Sequence, residues 1–137
     1  MIVFFDISSW VKRYVDETGS DEVEKICSKA DEIILSILCV PETISSFSRL
    51  LREKKITQSL FFDLKKAFIE EIEDVNFINI TPDVINRAVE LLQQHPLRTL
   101  DALHISCAVN ATIDLFVTSD LKQGNAAKAI GLDVKYI

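Results

Sequence analysis

The sequence predicts an α/β fold, a three-layer α/β/α sandwich with a mainly parallel sheet. Two continuous apolar runs, at residues 2–5 and 33–40, are typical of strands that are covered on both faces. Other segments carry apolar residues at helical spacing, for example Ile44, Phe47 and Leu51. Because strands that alternate with helices form βαβ units, the pattern indicates a parallel sheet.

The first half of the chain is predicted to hold two strands and four helices. Ser20 is a plausible cap for the second helix, and Pro41 suits the first turn of the third. Thr57 is expected to cap the fourth. In order, the elements are a strand at 2–5, helices at 8–16 and 21–30, a strand at 33–40, and helices at 41–54 and from 57 to about 68.

The second half continues the alternation with shorter strands. Thr81 followed by Pro82 is a strong helix start, because Thr caps a helix and Pro fits the first helical position. Thr99 is expected to cap the next helix, and Gly131 to end the last one. The expected elements are a strand at 77–80, helices from 81 and 99, a strand at 115–117, a helix from about 119 and a strand at 134–137.

The composition fits one globular domain over residues 1–137, with 48% hydrophobic residues and only three glycines and three prolines. The net charge of −6 argues against binding long nucleic acid through bulk charge. It leaves a nuclease possible, because carboxylates that surround cations also make a sequence acidic.

The cysteines and the apolar runs predict a cytoplasmic protein with no membrane contact. Cys27, Cys39 and Cys107 lack the spacing of a metal or disulfide framework, so we expect buried free thiols in a reducing compartment. The first apolar run lacks a basic leader and stops at Asp6, unlike a signal peptide. The longest run, residues 33–40, is too short to cross a bilayer.

Four carboxylates fall where predicted strands end or helices begin. Asp6 ends the first strand, Glu42 and Asp101 lie in first turns of helices, and Asp120 follows the strand at 115–117. Ligands of open parallel sheets bind at the carboxyl ends of the strands, so at least three of these four positions should share one edge. Carboxylates brought together repel one another unless a cation compensates them. A hard ion such as Mg²⁺ or Mn²⁺ prefers oxygen ligands and activates water for phosphodiester hydrolysis.

Each candidate also has a plainer interpretation. An acidic residue in a helix's first turn stabilises that helix whatever the function, so only the set of four favours a metal centre. His104 lies one turn after Asp101 and is expected to pack or to support the site, since hard ions seldom need imidazole. Ser8 as a nucleophile would need a nearby base, and neither histidine is evidently placed for this.

Four basic residues follow Glu42 on the same predicted helix or just after it: Arg49, Arg52, Lys54 and Lys55. Such runs are usually solvated faces, and the functional hypothesis is that Arg49 or Arg52 contacts an RNA backbone. Apolar residues on the helices at 44–51 and 60–68 are expected to form core, with a dimer face as the alternative.

Four ordered segments resemble the motifs of the PIN domain family, and within it the VapC-type toxins, over nearly the whole chain. The third is the most specific. The segments are Val3–Ser9, with Asp6 at the strand end; Val40–Ile44, with Glu42; Leu97–Ile105, with Asp101; and Val117–Asp120, followed by Ala126, Ala127 and Gly131.

This resemblance implies a Mg²⁺- or Mn²⁺-dependent endoribonuclease with a helix-flanked parallel sheet. It assigns Ser8 and Thr118 as hydroxyls that bind the carboxylates or the phosphate. It also implies a homodimer and, for the toxin of a type II toxin–antitoxin pair, a small antitoxin partner. Ile7 departs from the pattern, which often has Thr or Ser there. The implied metal ligands are Asp6, Glu42, Asp101 and Asp120.

Two other functions fit parts of the pattern. An aspartate-nucleophile phosphatase also places Asp at the end of its first strand. In those enzymes this Asp begins an Asp-x-Asp motif, whereas position 8 here is Ser. A non-catalytic PIN-like interaction or scaffold domain would not need all four carboxylates, so their presence argues against it.

Overall fold

A computed structural model describes residues 1–137 and shows five parallel strands with helices on both faces. The sheet order is β3-β2-β1-β4-β5, so the strand order reverses between β1 and β4. The strands are β1 (Ile2–Phe5), β2 (Glu32–Ser36), β3 (Asn76–Ile78), β4 (Leu115–Thr118) and β5 (Val134–Tyr136). The α-helices are α1 (Ile7–Trp10), α2 (Ser20–Cys27), α3 (Cys39–Arg52), α4 (Gln58–Glu71), α5 (Pro82–Gln94), α6 (Thr99–Ala111) and α7 (Leu121–Ala129).

The sheet is covered by two apolar cores, which confirms the predicted three-layer sandwich. Successive strand residues point to opposite faces. Phe4 therefore packs with residues of α5, α6 and α7, and stacks on Phe116 with ring centroids 5.6 Å apart. Val3 and Phe5 pack on the other face with side chains of α1 to α4, including Trp10. Residues of β1, β2 and β4 belong to both cores, so the carboxyl ends of these three central strands are fixed from both sides.

The apolar run at residues 33–40 is not one strand, so that prediction was wrong. β2 ends at Ser36, and α3 begins at Cys39, two residues before Pro41. The end of the run is apolar because it is buried at the start of α3, where Cys39 is fully covered. A continuous apolar run indicates burial and does not by itself distinguish strand from helix.

Other boundaries differ in smaller ways. The helix expected over 8–16 is α1 continued by a 3-10 helix at Val11–Arg13, and a second 3-10 helix, Ile72–Asp74, follows α4. Thr57 and Thr81 cap α4 and α5 as predicted. Gly19 rather than Ser20 precedes α2, and Arg98 rather than Thr99 precedes α6.

The cysteines are free, as expected, although only Cys39 and Cys107 are buried and Cys27 is partly exposed. Gly131, two residues after the end of α7, has a φ of 94°, the conformation that a helix-ending glycine adopts. None of the helices combines the length and the apolar character that crossing a membrane requires.

Candidate active site

Asp6 follows β1 and is the most deeply buried of the candidate carboxylates, with 1% of its surface exposed. It caps α1, because its Oδ1 accepts the Ser9 backbone N–H at 3.0 Å. The hydroxyls of Ser8 and Thr118 lie 2.8 and 2.7 Å from its carboxylate oxygens. The carboxylate is therefore held by donors from two chain segments, the start of α1 and the end of β4.

The direction of these hydroxyl hydrogen bonds follows from the backbone groups behind them. The Ser119 N–H donates to Ser8 Oγ at 2.9 Å, and the Asp120 N–H donates to Thr118 Oγ1 at 3.0 Å. A backbone N–H only donates, so each hydroxyl accepts there and keeps its own proton for Asp6. Two short relays thus connect the β4–α7 turn to the Asp6 carboxylate.

Burial and these hydrogen bonds act on Asp6 in opposite directions. Burial raises the pKa of the Asp6 carboxyl above its usual value, while the hydrogen bonds from Thr118, Ser8 and Ser9 lower it without cancelling the rise. The charged form of Asp6 is therefore costly in the protein alone. A bound cation would favour that charged form.

Glu42 lies in the first turn of α3 and contacts α6 through a buried histidine. His104 Nε2 is 2.9 Å from Glu42 Oε2, and the His104 side chain is 1% exposed. The other carboxylate oxygen, Oε1, is buried and has no hydrogen-bond partner. This placement agrees with the expectation that His104 packs in the interior or supports a site residue.

Asp101 lies in the first turn of α6, Asp120 caps α7, and the two residues are linked through Gln123. Asp120 caps α7 by accepting the Gln123 backbone N–H at 3.1 Å. The Gln123 amide then donates to the Asp101 backbone carbonyl at 3.3 Å, so one buried side chain ties α7 to α6. The Asp101 carboxylate is 20% exposed and has one ion-pair contact, with Arg98 at 3.4 Å.

Two open clefts meet at Arg98 and Asp101, and we call them together the carboxylate trough. The larger, of about 850 Å³, lies between α6 and α7, and the smaller, of about 550 Å³, lies between α3 and α6. Arg49 lines the smaller cleft, whereas Arg52 lines neither. Candidate residues that line the trough are Ser8, Glu42, Asp101 and Asp120, with Asp6 buried behind Ser8.

The four carboxylates share one edge but do not form a ready-made cage, since no three acidic, histidine or cysteine side chains converge to hold a metal ion. Each has its own partner instead: hydroxyls for Asp6, His104 for Glu42, Arg98 for Asp101 and a backbone N–H for Asp120.

The donor set fits a hard divalent cation. All the trough carboxylates offer oxygen, the ligand that Mg²⁺ and Mn²⁺ prefer. Two buried oxygens on the trough residues, Glu42 Oε1 and Ser119 Oγ, have no partner within the protein. Buried polar atoms are seldom left unpaired, so these two oxygens indicate where a cation or its water would be accommodated.

Five polar or charged residues that the site uses were not singled out from the sequence: Ser9, Arg98, Ser119, Lys122 and Gln123. Gln123 had a local signal, because Asp120 and Gln123 have the spacing of a helix capping box. The Ser119 contact with Ser8 had none, since the two residues are 111 positions apart.

The comparisons with known proteins agree with this architecture. A family model described as PIN domain matches residues 3–129. Ribonuclease VapC45 of Mycobacterium tuberculosis is 28% identical over 108 residues, 79% of this chain and 75% of that protein. The fold is similar to VapC20 of M. tuberculosis, a Sarcin-Ricin loop cleaving toxin (TM-score 0.70, 18% identity, 95% of each chain). It is also similar to DNA-bound VapBC from Salmonella typhimurium (TM-score 0.72, 10% identity, 99% and 98% of the two chains). Because the PIN domain model matches more than nine-tenths of the sequence, the chain belongs to the PIN domain family.

Proposed function

We propose that this protein is a Mg²⁺- or Mn²⁺-dependent endoribonuclease that cleaves RNA phosphodiester bonds. The observation that carries the proposal is the trough, where three carboxylates line one edge of the sheet and Asp6 lies behind Ser8 at the same edge. The edge lies where the strand order reverses, which is where ligands bind in open parallel sheets. The ribonuclease name of a relative with 28% identity supports the same chemistry.

The residues have separable tasks in this proposal. The cation would be held by Asp6, Glu42, Asp101 and Asp120, and it would supply an activated water and stabilise charge on the leaving oxygen. Ser8 and Thr118 keep the Asp6 carboxylate oriented. Arg49, Arg98 and Lys122 line the same trough, and their positive charges would attract and orient the phosphates of the substrate.

Cleavage of a mixed RNA pool tests the proposal. The native protein is expected to cut RNA when Mg²⁺ or Mn²⁺ is present, to stop in EDTA, and to resume when Mn²⁺ is restored. A mock purification serves as the control for contaminating nucleases. Cleavage that persists in EDTA would contradict the metal dependence. A folded protein that cuts none of a broad RNA pool would favour a non-catalytic scaffold.

The trough distinguishes the two arginines that the sequence proposed for RNA contact. Arg49→Ala is expected to weaken RNA binding, because Arg49 lines the trough beside Glu42, whereas Arg52→Ala should have little effect. Both residues are exposed and on the same helix, so Arg52 is a matched control. Affinity is measured by filter binding at low salt with an EDTA-treated protein. Equal affinities for both variants and the native protein would remove Arg49 from the interface.

We further propose that the protein is the toxin of a type II toxin–antitoxin pair, is neutralised by a small antitoxin and acts in the cytoplasm as a homodimer. The description of the structurally similar VapC20 as a toxin supports the toxin role. Phe47 and Phe68 are fully buried, so they belong to the core. Phe62 and Ile69 are exposed and lie two turns apart on the same side of α4, so they provide apolar surface for a dimer. Light scattering would detect that dimer.

A further inference from the structure

His104 is a buried polar residue with a single polar contact. It lies on α6, one turn after Asp101, and 1% of its side chain is exposed. Its Nε2 is 2.9 Å from Glu42 Oε2, while its Nδ1 is buried without a hydrogen-bond partner. An apolar side chain of similar size would fill this space without leaving a nitrogen unpaired, so packing alone does not account for a histidine here.

The Glu42 carboxylate is engaged on one oxygen only. An ionised carboxylate accepts but never donates, so the proton of this contact belongs to His104 Nε2. The second oxygen, Oε1, belongs to a residue that lines the trough and has no partner within the protein. One oxygen is thus fixed by α6, while the other is buried and has no hydrogen-bond partner in the protein.

We propose that His104 is a positioning residue that holds the Glu42 carboxylate in the orientation in which Oε1 is presented to a divalent cation. This inference rests on the proposed metal centre and adds a determinant of its affinity. Glu42 is on α3, whereas Asp101 and His104 are on α6, so this hydrogen bond also connects the two helices that carry these ligands.

The physical effect is preorganisation. A free glutamate side chain samples several rotamers and loses that freedom when it binds a metal ion. A hydrogen bond that already selects the binding rotamer removes part of this cost. Replacing such outer partners of metal ligands typically weakens metal affinity about 10–100-fold.

Direct Mn²⁺ binding tests the proposal without relying on RNA cleavage. The free Mn²⁺ signal is followed by electron paramagnetic resonance as the whole protein is titrated. His104→Leu is expected to weaken Mn²⁺ affinity about 10–100-fold. His104→Gln is expected to restore most of it, because the glutamine amide can donate from about the position of Nε2. In a Glu42→Gln background, His104→Leu should cause little further loss.

A matched control separates positioning from general damage to α6. Ser106→Ala removes a different buried hydrogen bond of that helix, the one from Ser106 Oγ to the Val84 carbonyl at 2.6 Å. It should lower the thermal midpoint and leave Mn²⁺ affinity unchanged.

Three results would overturn the inference about His104, and a fourth would overturn the proposed metal centre on which it rests. The inference fails if His104→Leu binds Mn²⁺ like the native protein, if His104→Gln is no better than His104→Leu, or if the loss is as large in the Glu42→Gln background. No Mn²⁺ binding by the native protein would overturn the proposed metal centre itself.

Discussion

Asp101→Asn is expected to lower RNA cleavage at least about 100-fold, because ion-assisted charge stabilisation contributes several kcal/mol and each 1.36 kcal/mol is a tenfold change in rate. Asp101 lies where the two clefts of the trough meet, so its charge faces both sides of the proposed centre. The amide is nearly the same size as the carboxylate, but it lacks the negative charge that would bind the cation.

The fold should tolerate this change. The Asp101 carboxylate is 20% exposed, and its one ion-pair partner, Arg98, is 86% exposed. Such solvated pairs contribute little to stability, typically less than about 1 kcal/mol. The tie between α6 and α7 uses the Asp101 backbone carbonyl, which the substitution leaves in place.

Initial cleavage rates on one RNA substrate in Mn²⁺, together with thermal midpoints, provide the measurement. Asp63→Asn is the matched control, because it removes one carboxylate from the exposed surface of α4, away from the trough. It should retain the native rate. A folded Asp101→Asn protein that cuts RNA at the native rate would exclude Asp101 from the catalytic centre.

Thr118→Val is expected to destabilise the fold by about 2–3 kcal/mol, since it removes a hydrogen bond to a buried carboxylate and leaves a backbone N–H without its acceptor. The hydroxyl donates to Asp6 at 2.7 Å and accepts from the Asp120 N–H at 3.0 Å. Valine keeps the shape of threonine and loses only this polar function. Thr118→Ser, which keeps the hydroxyl, should lose much less.

The effect of Thr118→Val should depend on pH. The folded-state pKa of Asp6 is raised by burial, so any stability from this group is present below the unfolded pKa and lost as pH rises through the folded pKa. The Thr118 hydroxyl opposes that rise, and valine would raise the pKa further. The destabilisation should therefore be larger at neutral pH than in acid, and Mn²⁺ binding should begin at a higher pH.

Chemical denaturation of the native, valine and serine proteins at neutral and acidic pH provides the measurement. Equal stability of the valine and native proteins at neutral pH would show that the Thr118 relay does not support the Asp6 charge. A destabilisation that is the same at both pH values would assign the effect to packing rather than to Asp6.

The sequence alone predicted those features that depend on residues close together along the chain. Continuous apolar runs and helical spacing predicted the parallel sheet and its two helical layers, and the acidic residues near strand ends and helix starts predicted which edge of the sheet carries the candidate site. It failed at residues 33–40, where β2 ends at Ser36 and α3 begins at Cys39. Burial makes both elements apolar there, so hydrophobicity could not separate them.

Only the tertiary structure decided how the site is held together. The His104 contact with Glu42 joins residues 62 positions apart, and the Thr118 contact with Asp6 joins residues 112 apart. Such pairs depend on how α6 and β4 pack against the rest of the molecule, and spacing along the chain carries no record of that packing. The sequence therefore determined the fold class and the candidate carboxylates, whereas the packing decided which donors hold each carboxylate and which oxygens have no partner within the protein.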